Sequence, residues 1–387
     1  METQCRLVKL NPNLPAGFIM EYEYSERIFI LSILNIMNNR NYFKLFLIGF
    51  IPLWGIITLF VFTTPCFIGD LTRIGGYSEQ AFAPKQPQIR FQKPAFTKIF
   101  NLREYKAYHD VLVVGDSFSQ NKAYGWQNYI AEKSGWSILT FHKSDVNIPD
   151  LLNSEAFQKH PPKIFIYEIA EHGLHDFRFK GAEHGGKSGS KRPDGAIQLN
   201  PVPKEKVVKK EALSFDMDIS HGIHRLQKSI KKATGSRQKV FRLPLSNGRF
   251  FSNESSDEIL IYYGDFSKND INPDQWISVN SDLHKLQNRV QANGQTLFLL
   301  MIAADKSSIY KPYIQNSPKP ILSALKLLGD VNSLNVLPIH EFLSQKIRTA
   351  GEMDIFLPND THWSNIGHST AANAVIEYLR RTKNIVF

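Results

Sequence analysis

The chain has 387 residues, 42% apolar and 12% aromatic, which is enough to bury at least one full core, excludes a disordered or fibrous protein, and allows two or three domains. Its 46 Lys and Arg against 36 Asp and Glu give a net charge of +10, and the segment from Arg178 to Arg242, with 16 basic and 6 acidic residues, carries all of it. Charge confined to one Gly-, Ser- and Pro-bearing stretch reads first as a solvated loop and second as an attractor of an anionic polysaccharide, phosphate groups or a lipid surface; it does not indicate a nucleic-acid partner.

Residues 1–36 hold only the short apolar run "IFILSILNIM", and Met37 opens "MNNRNYFKLFLIGF", the usual start of a signal anchor. Residues 1–42 are therefore expected to be a cytoplasmic tail, with 1–36 alternatively an upstream extension that is not translated. No residue from Leu45 to Gly69 is charged, and the run approaches the roughly 20 apolar residues that cross a bilayer as a helix. Residues 43–69 are thus predicted to be a transmembrane signal anchor. Arg40 and Lys44 before it and Asp70 after it put the N-terminus in the cytoplasm and the remainder outside, at the inner (cytoplasmic) membrane on its periplasmic or extracytoplasmic side. A cleaved signal peptide is the rival reading, although the run exceeds a usual signal core. Cys5 and Cys66 then lie at different depths, so no internal disulfide is expected, and Pro65 before Cys66 argues against lipidation.

Residues 70–104 read as a Pro-containing stem. From 105 to 387 strands alternate with helices. The unbroken run Val111–Val114 suits a central strand covered on both faces, turning sharply at Gly115. A helix follows through Trp126, Tyr129 and Ile130 and stops at Gly135. "WSILTFH", "KIFIYEIA" and "TLFLLMIAA" give further strands, and Leu334–Ile339 a fifth. Residues 282–292 form an amphipathic helix, and a last helix over 365–382 carries Ala371, Ala372, Val375, Ile376 and Leu379 on one face. This pattern predicts an α/β domain with a mainly parallel sheet flanked by helices. The alternation breaks between Phe177 and Tyr262, so a basic, partly mobile insertion is expected around 178–260. Ligands of parallel sheets bind beyond the carboxyl ends of the strands, where Gly115–Ser119, Glu168–His172, Ala304–Lys306 and Asp360–His362 all fall.

A serine becomes nucleophilic only with a base, and that base needs an orienting acid. "VVGDSFS" offers Ser117 on a tight turn, and "NDTHW" offers Asp360 and His362, which in an extended loop project to one side. Asp360 or Ser364 could equally cap the last helix. His172 and His175, like His221 and His224, have a spacing compatible with a metal, but no cysteine or carboxylate cluster completes either pair, so no metal and no cofactor are expected.

"GDSF" at 115–118, Asp360–Trp363, "YEIAEH" at 167–172 and "AADKSSIY" at 303–310 together resemble the SGNH (GDSL-type) hydrolase superfamily, and within it the alginate O-acetyltransferase (AlgX/AlgJ-like) branch. The resemblance covers roughly residues 105–380 and implies a flavodoxin-like SGNH fold. It implies Ser117 as nucleophile, His362 as general base and Asp360 as its orienter, with an acetyl group passing to Ser117 and then to a sugar hydroxyl. Gly115, Glu168, Glu171, Lys306, Tyr310 and Trp363 are the candidates for substrate or oxyanion contacts; the alternatives are ion-paired roles for the glutamates and packing roles for Lys306 and Tyr310. Two departures stand out: no Gly-x-Asn-Asp block supplies an oxyanion asparagine, and His172 stands where arginine is common. The implied partners are a polysaccharide, the inner membrane and a membrane-bound acyl-transfer protein. The alternative functions are an acetyl esterase on the same substrates, or a non-catalytic polysaccharide-binding or assembly subunit.

Overall fold

The computed structural model of the chain describes residues 39–63, 69–179, 204–207, 239–246 and 249–383. The N-terminal tail, both cysteines, His221, His224 and most of the basic segment lie outside these. Residues 1–64 and 65–387 form two compact units. In the first, helix α1 (Asn39–Thr63) contains Pro52. Its stretch Asn41–Leu59 has a mean hydropathy of 1.8 with none of it buried, so by length and composition it could cross a membrane.

The second unit is built on a five-stranded, wholly parallel sheet. In chain order the strands of this unit are β1 (Gln88–Phe91), β2 (Thr97–Ile99), β3 (Val111–Gly115), β4 (Ile138–His142), β5 (Ile164–Ala170), β6 (Lys204–Val207), β7 (Val240–Pro244), β8 (Glu258–Tyr262) and β9 (Leu297–Ala303). The central sheet runs β2-β4-β3-β5-β9, while β1 with β6 and β7 with β8 make two antiparallel pairs. Period-two alternation divides the core. Val111, Val113 and Ile166 face one side, packed with the helices α3 (Trp126–Ser134), α5 (Lys306–Tyr310), α6 (Ile339–Ala350) and α7 (Asn365–Lys383). Leu112, Val114 and Phe165 face the other, against helix α4 (Pro273–Gln291). Each such side chain removed from water contributes about 1.5–3 kcal/mol; all seven residues of β5 are buried, with Glu168 held there by hydrogen bonds instead.

Helix α4 begins where Asn272 Oδ1 accepts the Gln275 N–H at 2.8 Å, with Pro273 in the first turn, a start signal that extends it well before the expected 282. Its buried Trp276, Val279, Leu283, Leu286 and Val290 keep helical spacing.

Three sequence expectations are corrected. Leu334–Ile339 makes only the single bridge Leu300–Val336, because Pro338 has no N–H to continue a ladder and α6 starts immediately after it. The fifth strand is instead β2, at the opposite edge and inside the supposed stem. That stem is part of the domain: Leu71, Thr72, Phe82, Phe91, Phe96 and Ile99 are buried, and the short helix α2 (Asp70–Gly75) opens it. Within the stretch expected to be a mobile insertion, Leu243, Phe250, Phe251 and Ile259 join the main core.

Candidate active site

β3 ends at Gly115, and the chain turns at once into the 3₁₀ turn Ser117–Ser119. Two acids hold that turn. Asp116 Oδ2 accepts the Ala170 N–H of β5 at 2.7 Å and Lys143 Nζ, just past β4, at 3.3 Å, while its Oδ1 accepts the Phe118 N–H at 3.3 Å. From below, Glu168 Oε2 accepts the Asp116 N–H at 2.9 Å and the Ser119 hydroxyl at 2.7 Å. A Cβ on residue 115 would lie 2.5 Å from both Glu168 Oε2 and Ser119 Oγ, so glycine is what lets the acid reach under the turn. Burial, reinforced by the Asp116 charge, pushes Glu168 well above the usual carboxylate range. Burial opposes ionisation of Asp116 too, yet hydrogen bonding with Glu168 and the Lys143 charge keep it below its ordinary value. Of the two, Glu168 is thus the carboxyl that favours holding a proton and Asp116 the one that favours ionisation. Ser117 remains exposed at the surface of the turn.

The facing loop is closed by its own backbone: Phe356 and Trp363 pair as a bridge, and the Leu357 N–H donates to His362 O at 3.1 Å. Inside it Asp360 Oδ1 accepts both the backbone N–H of His362 at 3.1 Å and its ring Nδ1–H at 2.7 Å. His362 Nε2 then lies 2.8 Å from Ser117 Oγ, across 245 residues of chain. Burial raises the Asp360 pKa, but the hydrogen bond and charge of His362, with backbone donors from His362 and Asp70, bring it to about 2. Burial likewise pulls His362 down, and Asp360, Asp70 and Asp116 outweigh it to leave the imidazole above its ordinary value. Ser364, not Asp360, caps α7, its hydroxyl accepting the Ile366 N–H at 3.0 Å.

An exposed serine past the central strand β3, hydrogen-bonded to an Asp-oriented histidine just before the last helix, is the arrangement a nucleophilic hydrolase or acyltransferase requires. The family model for the SGNH hydrolase-like domain of the acetyltransferase AlgX matches residues 64–171 and 267–386, more than half of the chain. The chain belongs to this family. The AlgX-family match includes both halves of the site and leaves out 172–266, which contains β7, β8 and the basic segment. Comparison with curated proteins gives no match. One solved crystal structure aligns with 71% of this chain and 97% of its own at 9% identity and a TM-score of 0.30, a likeness that carries no argument.

The remaining predicted residues are buried, unlike the exposed Ser117. Glu168, Glu171, Lys306, Tyr310 and Trp363 are all buried, at 0–2% exposure, and Gly115 lies beneath the turn. Lys306 Nζ donates to the carbonyls of Leu357 at 2.9 Å, Pro358 at 2.9 Å and Asp360 at 3.2 Å, clamping the imidazole loop. Its burial lowers the ammonium pKa to about 7. Trp363 packs on Phe118 with ring centroids 4.7 Å apart, and Phe118 also meets the His362 ring at 5.0 Å, so the two halves of the site share an aromatic floor. Tyr310 packs between Phe251 and Phe356. Glu171 accepts the Asp305 and Ala324 N–H groups at 3.0 and 2.8 Å, fastening the loop after β9.

Sequence reasoning passed over a buried charge cluster here. Asp305 accepts His172 Nδ1–H at 2.7 Å and Lys268 Nζ at 2.5 Å. Burial lowers the pKa of His172, but Asp305 dominates and raises it to about 9. Among the described residues, two groups have metal-ligand spacing, Asp70 with Asp360 and His362, and His172 with Asp265 and Asp305. In the second, Lys268 already supplies a cation; in the first, His362 Nδ1 is committed to Asp360. His172 and His175 engage different carboxylates, Asp305 and Asp176. In sequence the cluster shows only as the neighbours Glu171 and His172 and the pair Asp265 and Lys268; Lys268 lies 37 residues away from Asp305.

Proposed function

We propose that this protein is an O-acyltransferase that acetylates a polysaccharide through a Ser117–His362–Asp360 triad, held at the extracytoplasmic side of a membrane by helix α1. The observation that carries the reading is the continuous hydrogen-bond line from Asp360 through His362 to Ser117, at 2.7 and 2.8 Å, in an AlgX-family fold. As the Ser117 oxygen attacks the acetyl carbonyl of a donor ester, its proton passes to His362 Nε2, and the Asp360 carboxylate stabilises the imidazolium. The tetrahedral oxyanion forms beside the Ser117 backbone N–H, which has no acceptor among the described residues, one of the donors such a hole requires. Collapse breaks the donor ester bond, His362 protonates the departing oxygen, and acetyl-Ser117 remains. A sugar hydroxyl then gives its proton to His362 and attacks the acetyl carbon; as the acetyl–serine bond breaks, His362 passes that proton to Ser117 Oγ, and the sugar acetate ester leaves. Water in place of the sugar would make the same site an esterase.

The test uses the full chain in detergent with p-nitrophenyl acetate, with and without polysaccharide acceptors. Mass spectrometry should find an acetyl group on the peptide carrying Ser117, absent from Ser117→Ala and from His362→Asn. Adducts equal in all three proteins, or none in folded wild type, would replace this reading with that of a binding or assembly subunit. The ratio of acetylated sugar to free acetate separates transferase from esterase.

A further inference from the structure

Asp70 reads in the sequence as no more than the first charge after an apolar run. In the fold it stands at the imidazole. Its carboxylate Oδ2 lies 3.9 Å from His362 Nδ1, and its backbone N–H donates to Asp360 Oδ2 at 3.4 Å. The next two residues continue the contact, since the Leu71 and Thr72 N–H groups both donate to Asn359 O, at 3.0 and 3.3 Å. Asn359 Nδ2 in turn donates to buried Glu79. A Cβ on Gly69 would lie 2.1 Å from Asn359 O, so the backbones touch where the chain enters the domain, and only glycine permits that approach.

We propose that Asp70 is a positioning residue of the site, a second carboxylate that orients the triad loop and, with Asp360, sets the proton affinity of His362. The proposal rests on the triad reading for its functional meaning, but not for its geometry. Asp70 is also ion-paired with Arg73, whose positive charge offsets part of the Asp70 field at the imidazole. The other groups facing His362 are Asp360 on its own loop, Asp116 with its partner Lys143 beside the serine turn, Lys306 beneath the loop, and His368 of α7. Burial, with a smaller push from His362, lowers His368 to about 3, which leaves it neutral.

The experiment is an NMR titration of the His362 imidazole in the full chain, ¹³C-labelled at histidine and assigned by the resonance lost in His362→Asn. It reads proton affinity without needing turnover, so it stands even if the enzymatic reading fails. Two unit charges about 4 Å apart interact by about 1 kcal/mol even at the bulk-water limit, or roughly 0.7 pH unit, and this pair is only partly exposed. Asp70→Asn should therefore move the midpoint down by about half a unit to one unit. Arg73→Gln, a change at a partly exposed side chain, should move it up by a smaller amount. Where turnover is measured, the acidic limb of kcat/KM should move in the same directions. Midpoints unchanged in both variants, or moved in the opposite directions, would overturn the proposal. An Asp70→Asn protein that failed to fold would leave the Arg73→Gln shift as the deciding measurement.

Discussion

The two halves of the site are held in different ways. The serine turn hangs from the middle of the sheet: Asp116 ties it to the neighbours β4 and β5, and Glu168, itself on β5, supports it from below. Among the described residues, the side-chain hydrogen bonds of Asp360 and His362 reach no strand of the sheet. It is clamped by Lys306 at the end of β9 and backed by residues 69–72, from the opposite end of the domain sequence. A nucleophile can be placed by the strand it follows, because strand ends are already rigid. A loop that must point a base at that nucleophile needs groups that converge on its backbone from outside.

The largest expected effect is the loss of both ends of the line at once. Ser117→Ala and His362→Asn should each lower turnover by about three orders of magnitude or more, and the double variant by no more than either single one, since the pair acts as a unit. Additive losses would separate the residues and undo the comparison. Next comes the clamp. Lys306→Met leaves three loop carbonyls without their donor, at about 1–3 kcal/mol for each group that stays buried and unpaired. A displaced base should lower kcat/KM by about a hundredfold, and both the melting temperature and kcat/KM are to be measured. Wild-type activity with a lowered melting temperature would reduce Lys306 to a purely structural group.

The pH dependence follows from the imidazole. His362 must be neutral to accept the serine proton, and its pKa is raised above the ordinary value. The kcat/KM profile should therefore fall about tenfold per unit as pH drops below a midpoint above about 6.5. A midpoint below that value would mean that burial, not the carboxylates, sets the base. The smallest effect belongs to the serine half. Glu168 has a raised pKa in the fold, so its favourable contribution is present below its unfolded value of about 4.3 and is lost as pH rises toward the folded value. Glu168→Gln keeps a neutral donor and an acceptor in that place. The variant should gain thermal stability relative to wild type from pH 5 to pH 8, and a gap that stays flat across that range would show that Glu168 is not the protonated partner.

The sequence by itself determined the sheet and the three residues that now stand in line. Val111–Val114 could only be a strand covered on both faces, the alternation around it implied parallel neighbours, and Asp360-x-His362 just before a helix is a local pattern in which the acid reaches its own histidine. What it left undecided is whatever depends on partners distant in the chain. β2 is three residues with one buried side chain, too short to show a period, and it became a strand only because β4 offered an edge. Lys306, Glu168 and Glu171 carry charges that a sequence places at a cleft; their burial follows from backbone groups supplied by residues 51, 52 or more positions away. Asp70 reads as a topological marker after an apolar run, and it meets His362 because the opening segment of the domain packs against the loop that closes it. Local periodicity is written in neighbours, whereas a buried charge or a second carboxylate at a histidine is decided by which distant backbones the fold brings within hydrogen-bonding reach.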